Sequence, residues 1–179
     1  GVTGGNKNNR VVQAEALAIY IKDDITFGNF IVTPGVRFED IELERRDWST
    51  LPRNATPSLK QNSVTAVLPS IGVLYNVNDK LSLLAGAYNG FGTPTTTSGV
   101  EEEQALNVEL GGRYQQADLM IELIAFTSDY ENLVGECTAS SSTSDCDIGD
   151  QFNGGEATVR GLEFQLTNNY QLTDNTAMP

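Results

Sequence analysis

Apolar positions in this chain recur with period two. Between residues 30 and 38 one set is Phe30, Val32, Pro34, Val36 and Phe38, with Thr33, Gly35 and Arg37 between them. Such alternation reads as a half-buried strand, and about nine residues suffice for a tilted strand to cross bilayer hydrocarbon. It returns at 64–77, where Val67, Pro69, Ile71, Val73, Tyr75 and Val77 oppose Ala66, Ser70, Gly72 and Asn76. At 104–115, Leu106, Val108, Leu110, Gly112 and Tyr114 oppose Asn107, Glu109, Arg113 and Gln115. Further strands are predicted over 11–25, 30–44, 81–91, 119–131 and 156–171, with an eighth beginning before Pro179. The apolar phase slips near Asp40, so that Ile41 and Leu43 become the apolar pair; a β-bulge or emergence from lipid each explains the slip. Pro34 and Pro69 lack the N–H that a ladder needs. They are expected at local bulges or rim-side ladder breaks, the other reading being a true sheet edge.

Connections alternate in length. They are tight at 26–29, 78–80, 116–118 and 173–175, and long at 45–63, 92–103 and 132–155. Up-and-down hairpins crossing a membrane produce this rhythm, since turns at one rim are short and loops at the other carry recognition. Tyr75 and Tyr114 lie on apolar faces near short turns, where an aromatic girdle meets the lipid interface. The expected fold is all-β, an antiparallel up-and-down transmembrane β-barrel segment. A soluble extracellular β-sandwich binding or adhesion module, with the same faces turned to a packed core, is the alternative.

Composition removes several function classes. The chain has no histidine, which excludes Ser/His/Asp and Cys/His catalysis and the commonest zinc ligand. No catalytic residue, metal or cofactor is assigned, and an enzyme is not expected. A net charge of -13 argues against nucleic acid as a partner. Glu101, Glu102 and Glu103 are adjacent, so in extended chain they alternate faces and read as a charged strand start rather than a hydrolase's carboxylate pair. Asp145, Asp147, Asp150 and Asn153 offer calcium-type oxygens but depart from the EF-hand pattern. Cys137 and Cys146 flank a Ser/Thr-rich stretch and are expected to form a loop disulfide, which implies an oxidising compartment. Arg37, Glu39, Glu109, Arg113, Arg160 and Glu163 are expected to face a lumen and satisfy one another across strands.

Four stretches together resemble the barrel of TonB-dependent outer-membrane receptors, particularly the ferric citrate and ferric siderophore receptor group. They are TPGVRFE at 33–39, LPSIGVLYNVNDKLSLLAGAYNGFGTP at 68–94, VEEEQALNVELGGRY at 100–114 and FNGGEATVRGLEFQ at 152–165. The resemblance runs from about residue 14 to 172. It implies a barrel of about 22 strands, of which residues 1–179 are an internal segment of seven to eight, with the plug domain and the remaining strands outside the chain. It further implies import of a ferric chelate, outer-membrane lipid as surroundings, an inner-membrane energy-transducing partner acting through the plug, and the outer membrane of a Gram-negative bacterium as location. Capture would fall to long loops and the upper lumen. RRDW at 45–48, with Arg53 and Lys60, is the densest cationic cluster beside an aromatic, and guanidinium groups suit a chelate's carboxylates. Arg45, Arg46, Trp48 and Arg53 are therefore the ligand-binding candidates; pairing of Arg45 and Arg46 with Glu42, Glu44 and Asp47 is the competing reading.

Overall fold

The computed structural model describes residues 9–48, 53, 56–93, 96, 99–138, 151–168, 170–173 and 176–178. Alternation and tight turns build hairpins in chain order: β1 (Arg10–Lys22), β2 (Ile25–Phe27), β3 (Phe30–Asp47), β4 (Ser58–Asn76), β5 (Leu81–Gly92), β6 (Glu103–Gln116), β7 (Leu119–Glu131), β8 (Val134–Glu136), β9 (Gln151–Asn153), β10 (Ala157–Asn168), β11 (Tyr170–Thr173) and β12 (Thr176–Met178). The main sheet runs β1-β3-β4-β5-β6-β7-β10, with β2 extending β1 along β3. All its pairings are antiparallel and follow chain order, with β8 and β9 set apart between β7 and β10, and the sheet is not closed. No second sheet packs on it among the described residues, which sets aside the sandwich alternative.

Register fixes two faces. Val36, Ile71 and Leu110 share one of them and are 39%, 49% and 65% exposed, as lipid-covered rather than core residues must be in the isolated chain. Leu17, Ile19, Ile21, Phe38, Val67, Leu83, Leu106, Val108, Leu123, Leu162, Phe164 and Leu166 belong to the same outer band. Val67 to Tyr75 is about 26 Å of strand at roughly 3.3 Å per residue, and a tilt near 40° turns that into about 20 Å of depth, close to the apolar band of outer-membrane barrels. At the turn end the band closes on aromatics: Phe27 stacks on Phe30 at 5.5 Å and Phe30 meets Tyr75 at 4.5 Å. Tyr114 pairs with Leu81 on the same face at the same end.

Of the two readings of the slip at Asp40, emergence from lipid holds and the bulge does not, because β3 keeps one register with β1 and with β4 throughout, and Asp40, Glu42 and Glu44 replace Val36 and Phe38 on its outer face. One expectation needs correction: 45–63 is not all loop. β3 and β4 stay paired out to Asp47 and Ser58, stitched on the outer face by Thr65 Oγ1 to Asp40 (3.1 Å) and Gln61 Nε2 to Glu44 (3.2 Å).

Both prolines sit at ladder breaks within the sheet. Pro34 accepts from the Asp23 N–H at 3.2 Å and has no N–H to return, so pairing lapses at Asp23–Asp24 between β1 and β2. Pairing of β4 with β5 stops at Ser70, next to Pro69, whose nitrogen faces β5 by the alternation of the ladder. Beyond it β4 pairs with β3 alone, β5 pairs with β6 alone, and a wedge opens toward the long loops.

Candidate functional site

The inner face is polar where the outer is greasy. Arg37 pairs with Glu39 and Arg113 with Glu122 at 2.6 Å across β6–β7. The Tyr88 hydroxyl donates to Glu109 at 3.2 Å, and the Ser128 hydroxyl to Asn107 at 2.6 Å. Glu163 shares this face, lying opposite Ile124. Arg160 does not: it lies opposite Thr127, in line with Leu162, Phe164 and Leu166, so a residue three positions from Glu163 falls on the outer side. Small residues, Gly72, Gly86 and Gly111 among them, floor an open inner trench of about 310 Å³.

The loop end of this face gathers cations. Arg45 lies directly between Val12 and Lys60, and Asp47 between Arg10 and Ser58, all on the inner side. Arg45 is held 2.7 Å from Asp47. Arg46, one residue on, turns outward and pairs with Glu44 at 2.6 Å, lining a hollow of about 480 Å³ with Gln13, Glu15, Glu42 and Gln61 above the apolar band. Arg45 and Arg46 therefore do not converge. Trp48 and Arg53 do: the guanidinium lies 4.8 Å over the indole, its Nε donates to Asn9 Oδ1 at 2.8 Å, and Asn9 Nδ2 donates to the Trp48 carbonyl at 3.0 Å. Asn9 is 3% exposed, so it anchors this contact. Arg10 was missed from sequence because the first strand was expected to begin at residue 11, whereas it begins at Arg10; Lys60 becomes Arg45's neighbour only once the β3–β4 register is known.

The end of the β5–β6 loop meets the wedge above Pro69, where Glu102 and Gln104 line a hollow with Thr65, Ala66, Asn89 and Phe91. Asn62 Nδ2 donates to the Val100 carbonyl at 3.1 Å, and Val100, Ile41, Val64 and Ala66 are each 5% exposed. The next loop, 132–155, carries the β8–β9 hairpin, which period-two reading overlooked because each strand has three residues. Cys137, just after β8, is buried and disulfide-bonded; Cys146 lies outside the described residues, as do Asp145, Asp147 and Asp150. Asn153, their companion in the calcium pattern, is engaged with backbone instead.

An open antiparallel sheet with one lipid-type face, one polar face and loops at one end only is a barrel wall, and its sequence agrees. The family description "TonB dependent receptor-like, beta-barrel" matches residues 1–177. The chain belongs to the TonB-dependent receptor family. This is a family of outer-membrane receptors and transporters rather than enzymes, and it places this barrel segment in the outer membrane of a Gram-negative bacterium. A ferric enterobactin receptor of Pseudomonas aeruginosa is 24% identical over 184 aligned residues, 93% of this chain and 24% of the relative. The unliganded ferric citrate transporter FecA superposes with a TM-score of 0.68 at 30% identity, over 88% of this chain and 23% of FecA. The siderophore receptor PiuA of Acinetobacter baumannii gives a TM-score of 0.73 at 18% identity, over 93% of this chain and 24% of PiuA, a likeness of fold. The chain thus spans about a quarter of the length of each of these relatives.

Proposed function

We propose that this chain is part of a longer outer-membrane receptor that binds a ferric chelate at its loop end and imports it with energy from an inner-membrane partner acting through a plug domain. The carrying observation is the inner cationic row: Arg45 flanked by Lys60, with Arg10 two positions along, where the wall opens toward the loops. Arg10, Arg45 and Lys60, set close together on one face, raise the positive potential at the loop end, with Asp47 beside Arg45, and an anionic ligand is drawn to such a cluster. Carboxylates of a citrate-type chelate fit best, because guanidinium offers them paired donors that stay charged. Trp48 and Arg53 add a rim on which a chelate's organic shell rests, whereas Arg46, paired with Glu44 on the outer face, is neutralised there. Similarity to receptors for ferric citrate and ferric enterobactin supports the reading.

Isothermal titration of the full-length receptor with ferric citrate tests it. Saturable binding is expected, weakened by roughly tenfold or more in Arg45→Ala and in Lys60→Ala, as loss of a charge-assisted hydrogen bond implies. Absence of binding to ferric citrate and to ferric enterobactin would contradict it.

A further inference from the structure

Residues 100–103 are held at successive points by three different elements. Asn62 of β4 takes the Val100 carbonyl. Asn153 of β9 takes both backbone groups of Glu101, accepting from its N–H at 2.7 Å through Oδ1 and donating to its carbonyl at 3.0 Å through Nδ2. The same Nδ2 donates to the Asn132 carbonyl at 3.0 Å, at the foot of its own loop. In return, Glu103 accepts the Val134 N–H of β8 at 2.8 Å. Each loop thus offers one side chain that satisfies backbone of the other. A side-chain amide that meets both the N–H and the C=O of one residue substitutes for a strand partner's backbone, so the β5–β6 loop is paired to β9 here although no ladder joins the two among the described residues.

The local backbone is shaped for this. Asn132 adopts φ +56, a conformation Asn tolerates better than most residues. Leu133 N–H donates to the Gly155 carbonyl and Gly154 N–H to the Leu133 carbonyl, closing the neck of the 132–155 loop and fixing Asn153 at its base. Phe152 lies over Gly135, where an added Cβ would come within 2.7 Å of the ring, so the hairpin packs on itself while Asn153 reaches across.

We infer that Asn153 and Glu103 form a reciprocal latch that makes the β5–β6 and β7–β10 loops a single cap, with Asn153 as the positioning residue. The wedge opened at Pro69 is its seat. A ligand touching either loop then acts on both, and neither loop pays its ordering entropy alone. The part concerning ligand rests on the receptor reading above; the coupling itself does not.

Hydrogen exchange on the ligand-free full-length receptor tests the coupling directly. Asn153→Ala, a change in one loop, is expected to speed exchange about five- to tenfold in the other, at residues 100–103, as loss of a net hydrogen bond implies. Glu103→Ala is expected to do the same at residues 133–136, while Glu103→Gln, which keeps an acceptor, restores protection. Acceleration confined to the loop carrying each substitution, or none, overturns the latch. Unfolding of Asn153→Ala leaves the Glu103→Ala and Glu103→Gln comparison to decide. Titration of the folded variants with ferric citrate adds the ligand arm: weaker binding in Glu103→Ala, rescued in Glu103→Gln, is expected. Unchanged affinity alongside altered exchange contradicts the cap's role in capture, and absence of binding by the unsubstituted receptor points instead at the receptor reading.

Discussion

At the residue scale, the wall is tightest where backbones approach. A Cβ added at Gly111 would lie 2.5 Å from the Leu123 carbonyl oxygen and 2.9 Å from Ile124 Cγ1. Backbone cannot move aside without breaking the β6–β7 ladder. Gly111→Ala is therefore expected to destabilise the folded receptor by roughly 1–3 kcal/mol, the usual cost of forced overpacking. Its neighbour Gly112 is the control, since its added Cβ would meet nothing nearer than Leu83 Cδ2 at 3.6 Å. Denaturant midpoints of the two variants in detergent check the difference, and equal midpoints would argue against this account of the packing. Glycine identity in the sequence says that a side chain is absent; which neighbour it would strike depends on register across strands.

At the element scale, much was legible. Alternation in residues 30–38, 64–77 and 104–115 gave the correct outer sets, because hydrocarbon on one side and water on the other impose opposite demands on successive residues. Strand limits were less legible. Hydropathy reports where lipid ends, whereas β3 and β4 continue past it on backbone pairing and polar cross-strand contacts that leave no apolar trace. The β8–β9 hairpin was invisible for a related reason, since three residues carry no period. Asn153 was read by its oxygen and turned out to matter for its whole amide. Face assignment yields a direct expectation. Leu110→Arg places a charge in the outer band and is expected to cost about 2–4 kcal/mol if it lies near the midplane, while Glu109→Gln on the inner face carries no such lipid penalty. Yields of folded receptor and unfolding free energies in lipid vesicles measure the contrast, and comparable losses for both would contradict the assignment.

At the scale of the molecule, one physical idea joins the parts: a single sheet, too thin to hold a core, is stable because lipid covers one face and polar groups satisfy one another on the other. Cations at the loop end and the paired loops stand on that wall. The sharpest test is a spin-label scan along β6 of the full-length receptor in bilayers, one position at a time from Leu106 to Arg113, omitting Gly111, where any side chain would strike the β7 backbone. Collision with oxygen, which concentrates in hydrocarbon, is predicted to peak at 106, 108, 110 and 112 and to fall at 107, 109 and 113. Low oxygen access at every position, with Leu106, Val108 and Leu110 as shielded as Asn107 and Glu109, would mean that protein rather than lipid covers the outer face.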